Sequence, residues 1–261
     1  SIVAGDVGIR PNFRMDVSGG GSTCEAMVGV AIGLMEAGMC RTAVIYRAMN
    51  GYSGMRIGGT GVRARAPVTN EMLHGRAYGW QSAGQRYAFA FLRHMHEFGT
   101  TSRQAAAVRV AQGLHASNNP KALYRKRVTI DEVVSSRMIV APLHLLDCCV
   151  ETDGAAAIVV TSTERAKDLA RQPIRVRGVV GRCCKPRTDM HYQVGPMTAG
   201  AGRHIRDALW SRSGVGPDDV DVTGAYDAFT FTTIFQLEDY GFCEKGEGGH
   251  YVASEVVKLG G

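Results

Sequence analysis

Ser18-Gly19-Gly20-Gly21-Ser22-Thr23 opens the stretch that decides the fold. This glycine-rich turn leads into small and apolar residues, with Met27, Val30, Ala31 and Leu34 at helical spacing and Gly38 as the stop. The run Thr42 to Ala48 then reads as a strand. Strand–turn–helix–strand order belongs to α/β architecture. The helix is nearly free of charge, which predicts a buried helix rather than a surface one. The turn at its start suits a phosphate or an oxyanion, and close packing in a core explains its glycines equally well.

Working outward, glycine and arginine fill residues 51–66. Helices are predicted from Ser82 to Phe98 and from Ser102 to Ser117. Thr100-Thr101-Ser102 supplies a cap for the second, and Asn118-Asn119-Pro120 ends it. Thr129 and Glu132 form a Thr-x-x-Glu capping box for a further helix. Asp153-Gly154-Ala155-Ala156-Ala157-Ile158-Val159-Val160 reads as a buried strand, followed by a helix from Ser162 to Ala170. Ile174 to Val180 alternates as a strand with one exposed face. The remainder predicts a helix from Ile205 to Ser213, the turn Gly216-Pro217-Asp218-Asp219, a strand from Val220 to Ala225 and a helix from Ala228 to Tyr240.

The 261 residues are 45% hydrophobic and 21% charged, enough for one or two domains with a real core. No apolar run is long enough to span a bilayer. The start at Ser1 and the apolar stop at Val256 to Gly261 lead us to expect a piece of a longer protein. Seven cysteines, with the adjacent pairs Cys148-Cys149 and Cys183-Cys184 and no CxxC pair, predict reduced, mostly buried thiols in a cytoplasmic protein. The formal charge of +6 includes Arg63-Ala64-Arg65, Arg125-Lys126-Arg127 and Arg175-Val176-Arg177. It suits an anionic ligand such as a CoA phosphate; sparse aromatics and the lack of a motif argue against nucleic acid. No metal site is expected. His94 and His96 face apart on a helix, Asp189-Met190-His191 has no second ligand pair, and His74 reads as a lone loop histidine.

Asp147-Cys148 with Asp153-Gly154-Ala155-Ala156-Ala157 resembles the strand that thiolase-fold enzymes place between their halves. Tyr226-Asp227-Ala228-Phe229-Thr230, followed by Phe242-Cys243-Glu244-Lys245-Gly246-Glu247-Gly248, resembles the non-specific lipid-transfer, or SCP-x-like, thiolases. Asn119-Pro120, Thr129 to Arg137 and Pro142-Leu143 fit the same branch. The resemblance implies a five-layered α/β/α/β/α thiolase fold, here without its first and last segments. Residues 1–50 and 146–185 would form one incomplete half, 186–261 the other, and 51–145 an inserted helical layer. It also implies a homodimer with the Thr42 to Ala48 strand near its interface.

Two departures from the thiolase pattern bear on function. Aligned back from Met35-Glu36-Ala37-Gly38, the position of the thiolase nucleophilic cysteine falls on Gly21, with Ser22 beside it; Cys24 is the nearest thiol. Where thiolases carry an Asn-Glu-Ala-Phe type segment, this chain has Tyr226-Asp227-Ala228-Phe229, so a phenol replaces an amide. A phenol can transfer a proton or polarise a carbonyl. Nucleophile lost and phenol gained resembles the steroid side-chain-cleaving aldolases of this branch, which break a β-hydroxyacyl-CoA without an acyl-enzyme. The resemblance therefore implies Tyr226 as a catalytic residue and Gly21, Ser22 and Asp227 as substrate-binding. The CoA thioester is the substrate, no cofactor is needed, and a small OB-fold protein is a partner. Asp227 would alternatively cap the helix from Ala228. Two other readings stay open: a thiolase or acyltransferase using Cys24 or another cysteine, and a non-catalytic lipid or acyl-CoA carrier. Relatives carry a Gly-His-x-x-Gly segment and further site residues beyond the point where this chain stops.

Overall fold

In the computed structural model, a short helix Ile2–Asp6 (α1) precedes the helix Thr23–Glu36 (α2). The structure describes residues 2–17, 21, 23–55, 70–78, 82–181, 196–254 and 256–258. Gly38 stops α2 because it takes φ 72°, which lets the Gly38 N–H reach the Met35 carbonyl at 3.0 Å and the Met39 N–H reach the Leu34 carbonyl at 2.9 Å. The strand Thr42–Asn50 (β1) follows.

The chain divides into two compact units: residues 1–50, 153–182 and 207–215, and residues 51–152, 183–206 and 216–261. In the first, β1 pairs antiparallel with Asp153–Thr161 (β4) in unbroken register from Thr42↔Thr161 to Asn50↔Asp153. Val44 and Tyr46 alternate with Ala43 and Ile45, so the two faces of the strand differ. Val44 and Tyr46 are exposed, while α2 packs against the β1–β4 pair.

Several expectations for this unit are corrected. Only Thr23 and Ala31 of α2 are buried, so it is not a buried helix among the described residues, although the β1–β4 pair packs on it and Val179 lies against Gly29. β4 is likewise exposed over most of its length, since nothing described covers its second face. Its alanine-rich sequence records a face that is apolar, not one that is covered. Ile174 to Val180 forms no strand; side chains hold it instead, with Arg212 Nη1 donating to the Val179 carbonyl at 3.1 Å and Arg177 Nε to the Ser213 carbonyl at 3.1 Å. The helix expected from Ser162 shrinks to Thr163–Ala166 (α7), with Ser162 as its N-cap.

In the second unit the helical layer matches its sequence signals closely. The helices are Asn70–Ala77 (α3), Ala83–Phe98 (α4), Ser102–Ser117 (α5) and Ile130–Ser135 (α6). Thr101 caps α5 and Thr129 caps α6, their side chains accepting the Gln104 and Glu132 N–H groups at 3.2 and 3.1 Å. His74 lies on α3 rather than in a loop, its ring 5.3 Å from that of Tyr78. Met138–Val140 (β2) and Leu143–His144 (β3) form a small hairpin. The helix Gly202–Ser213 (α8) follows. Thr230–Tyr240 (α9) and Gly248–Ala253 (α10) complete the chain.

The core of the second unit forms where α4, α5, α9 and α10 meet. Phe91 stacks on Phe231 with ring centroids 4.8 Å apart, and both are fully buried. Each contributes about 1.5–3 kcal/mol through its buried area. Ala105, Ala106, Ala107 and Ala111 are all buried, so small residues on more than one side of α5 let its neighbours approach closely. This rigid helical cluster is what positions the site.

Candidate active site

The segment Asp147 to Cys149 runs beside Ala228 to Thr230, which brings together two of the motifs singled out in the sequence. Cys148 and Phe229 form an antiparallel bridge, and the Cys149 N–H donates to the Ala228 carbonyl at 3.0 Å. Asp147, buried at 4% exposure, accepts the Thr230 hydroxyl at 2.7 Å and the His144 N–H at 2.8 Å. These bonds explain a correction. Phe229 is held extended against Cys148, so α9 starts at Thr230 with Phe229, not Asp227, as N-cap.

Tyr226 and Asp227 sit just before this bridge. Val220 to Ala225, expected as a strand, has no ladder partner among the described residues. Tyr226 is 59% exposed, so its side chain is reachable by a ligand. Its backbone is held by α9: the N–H donates to Gln236 Oε1 at 3.0 Å, and the carbonyl accepts from Gln236 Nε2 at 2.6 Å and from the Thr232 hydroxyl at 2.8 Å. Asp227 Oδ2 accepts from Gln112 Nε2 of α5 at 3.1 Å. Gly21 lies in a turn of the first unit, its carbonyl 3.3 Å from the Cys24 N–H, and Cys24 is in the first turn of α2. Ser22, the rest of the glycine turn, Arg63 to Arg65, Cys183-Cys184 and Asp189 to His191 lie outside the described residues.

The five described cysteines are all free, but none is buried: Cys149 is exposed and Cys24, Cys40, Cys148 and Cys243 are intermediate. Three of their thiols are nevertheless hard to ionise. Partial burial, then Asp147, then Cys149 push Cys148 up to about 11. Burial, then Glu238, push Cys243 up to about 12, against the opposing pull of Lys245. Burial, then Asp227, raise Cys149 as well. A thiol near 11 is about one part in a thousand thiolate at pH 8, so it is a poor nucleophile. Iodoacetamide at pH 8 is therefore expected to leave Cys148 and Cys243 almost unmodified in peptide mapping, with labelling of Cys148 rising about tenfold per pH unit. Rapid labelling of Cys148 at neutral pH would contradict this.

Sequence reading missed a second polar cluster. His94 is fully buried, its Nε2 donating to Glu238 at 3.0 Å and its Nδ1 paired with the Thr100 hydroxyl at 2.8 Å. Lys245 Nζ donates to Glu238 at 2.9 Å, to Asp239 at 3.0 Å and to the Thr198 carbonyl at 2.9 Å. The Gly248 N–H reaches Glu238 at 2.9 Å, and the Gly200 N–H reaches Asp239 at 2.5 Å. Burial raises both carboxyls. At Glu238 the bond from His94 and the charge of Lys245 overcome it, and the net shift is downward; at Asp239 burial prevails and the shift is upward. The cluster explains the Glu244-Lys245-Gly246-Glu247-Gly248 motif structurally. Gly246 takes φ 97°, with Phe98 where a Cβ would lie. The available signal was Glu238 on an otherwise apolar helix face beside Ile234, Phe235 and Leu237, which demands a nearby cation.

Comparison with known proteins places this geometry. Residues 187–261 match the family described as thiolase C-terminal domain-like. The 17-hydroxy-3-oxo-4-pregnene-20-carboxyl-CoA lyase of Mycobacterium tuberculosis is 39% identical over 251 residues, covering 93% of this chain and 64% of that protein. The steroid side-chain-cleaving aldolase of Thermomonospora curvata is 36% identical over 256 residues, 93% of this chain and 63% of that one. The chain thus spans a little under two thirds of the length of these relatives. Among solved structures, an Ltp2-ChsH2(DUF35) aldolase superposes with a TM-score of 0.83 at 32% identity, covering 99% of this chain and 67% of that one. The thiolase-like, mixed α/β fold expected from the sequence is therefore established. The chain belongs to the thiolase superfamily, in its lipid-transfer-protein branch.

Proposed function

We propose that the protein is a thiolase-like aldolase, a carbon–carbon lyase that cleaves a β-hydroxyacyl-CoA, specifically a steroid side-chain CoA thioester, into a ketone and a short acyl-CoA. The observation that carries this reading is the paired departure from thiolases: Gly21 where a nucleophilic cysteine would stand, and the exposed phenol of Tyr226 where an asparagine would stand. The names of the steroid lyase and aldolase relatives support the substrate class.

The chemistry needs no sulfur. A base removes the β-hydroxyl proton, and the oxygen's electron pair forms the ketone C=O. The Cα–Cβ bond breaks with its pair passing to the α-carbon, where it is delocalised as the thioester enolate. A proton delivered to that carbon completes the short acyl-CoA. We assign Tyr226 to proton transfer and Asp227 to substrate binding beside it. Gly21, which lies in the turn before α2, and its sequence neighbour Ser22 are assigned to the thioester oxygen. The CoA thioester is substrate, and no cofactor enters.

We further propose a homodimer with β1 at or near its interface, where Val44, Tyr46 and the paired Val159 leave an apolar face exposed. A small OB-fold partner that handles the acyl-CoA is also proposed, as the Ltp2-ChsH2(DUF35) assembly suggests. Among the described residues no helix is long and apolar enough to cross a membrane. A cytoplasmic setting fits the free cysteines.

The test is incubation of the full protein, with and without the OB-fold partner, with a steroid β-hydroxyacyl-CoA, followed by product analysis and denaturing mass spectrometry. The expected result is ketone and short acyl-CoA in equal amounts, faster with the partner, and no mass added to the protein. An acyl adduct on Cys24 would establish the thiolase reading instead, and binding without turnover the carrier reading.

A further inference from the structure

We infer that Gln236, assisted by Thr232, is the positioning residue for Tyr226, an inference that rests on Tyr226 taking part in the proton transfer proposed above. Among the described residues, the segment that ends at Tyr226 pairs with no strand, so its backbone is held by side chains. A primary amide is the side chain best suited to replace a strand, because its C=O and N–H₂ reproduce the acceptor and donor of a peptide group. Gln236 uses them that way. Its Oε1 accepts the Tyr226 N–H at 3.0 Å, and one Nε2 hydrogen goes to the Tyr226 carbonyl at 2.6 Å. The other Nε2 hydrogen goes to the Thr232 carbonyl at 2.6 Å, so both amide hydrogens and its oxygen are engaged.

The clamp is anchored in rigid structure. Gln236 lies one turn beyond Thr232 on α9, whose Phe231, Ile234 and Phe235 are buried in the core. The Thr232 hydroxyl lies 2.8 Å from the Tyr226 carbonyl and 2.7 Å from that of Phe229, so its one O–H is shared between them. Tyr226 thus projects an exposed side chain from a main chain tied at two points to a helix that cannot shift. A proton-transfer group needs this arrangement: displacement by about 1 Å costs on the order of a hundredfold in rate. An ordinary surface loop does not.

The experiment compares Gln236→Leu, Gln236→Glu, Tyr226→Phe and the double variant Tyr226→Phe/Gln236→Leu in the full protein with its partner. Gln236→Leu is expected to lower kcat about 10- to 100-fold with KM nearly unchanged. Gln236→Glu keeps the acceptor for the Tyr226 N–H but turns a carboxylate oxygen toward the Tyr226 and Thr232 carbonyls, and should lose at least as much activity as Gln236→Leu. In the Tyr226→Phe background, Gln236→Leu should add less than about twofold, because the residue it positions is already disabled. Additive losses, or a full-speed Gln236→Leu where Tyr226→Phe is dead, overturn the clamp. If Tyr226→Phe keeps full activity, the aldolase reading of Tyr226 fails, and the clamp's role in catalysis fails with it. A separate readout judges the geometry: 3-fluorotyrosine at position 226, followed by ¹⁹F NMR in the wild type and in Gln236→Glu, which keeps a polar side chain at this half-buried position should Gln236→Leu not fold. A shifted or broadened resonance in the variant supports the clamp, and an unchanged one refutes it.

Discussion

Tyr226→Phe is expected to slow carbon–carbon cleavage by about 10²- to 10⁴-fold, the range over which a positioned acid–base group contributes. The substitution removes one oxygen and keeps the ring, so the shape presented to the substrate hardly changes. The loss should therefore fall on kcat, with KM little altered, because the Tyr226 oxygen takes up the β-hydroxyl proton only as that hydroxyl ionises. Folding should be nearly untouched. Tyr226 is 59% exposed, and surface substitutions of this kind change stability by about 0.5 kcal/mol or less. Steady-state kinetics beside a thermal melt separates the two effects. A variant that melts normally but cleaves at wild-type speed would remove Tyr226 from the chemistry, whereas one with raised KM and intact kcat would make it a binding residue. Substrate proton inventory sharpens the outcome. If Tyr226 carries the β-hydroxyl proton, the residual rate of the phenylalanine variant should climb with hydroxide concentration, since solvent must then supply the base.

How much of this was legible in the sequence follows from the range of the forces involved. Caps are local, so Thr100-Thr101-Ser102 and the Thr129–Glu132 box mark the starts of α5 and α6 within a residue. Strands are not local. Ile174 to Val180 and Val220 to Ala225 have the alternation or β-branching of strands but no ladder partner among the described residues, and pattern alone cannot supply one. The apolar faces of α2 and β4 were misread as buried for the same reason, because composition reports affinity for cover rather than the presence of it. Tyr226 and Asp227 were visible because a motif displays a chemical type at a fixed place. Gln236, Gln112 and His94 were not: each acts on a residue 10, 115 or 144 positions away in sequence, and such pairings exist only after the helices have packed.

Glu238→Ala is expected to destabilise the second unit by about 3–5 kcal/mol at neutral pH, the cost of breaking a buried ion pair by removing one partner. Glu238 is fully buried, and its lowered pKa keeps it ionised, so His94 Nε2 must be the donor in the bond between them. The alanine strands that N–H, the Gly248 N–H and one hydrogen bond of Lys245, and leaves a void beneath α10. For a protein of this size the loss corresponds to a fall in Tm of roughly 6–20 °C. Two opposing responses set where in that range it falls. Asp239 is raised partly by Glu238's charge; without that neighbour it gains Lys245 more fully, and recovers some of the loss. The pH dependence gives the sign. A carboxyl whose folded pKa lies below its ordinary 4.5 contributes stability that is complete above that value and fades as pH falls through the folded pKa. Asp239, raised above its ordinary 3.8, runs the other way: its contribution is complete below 3.8 and fades as pH rises through its folded pKa. The gap between wild type and Glu238→Ala should therefore be widest near neutrality and narrow progressively in acid as pH falls below 4.5, leaving only the cavity component. Calorimetric melts across that interval decide the matter: a gap that stays constant with pH would mean that Glu238 supports the fold by its bulk rather than by its charge.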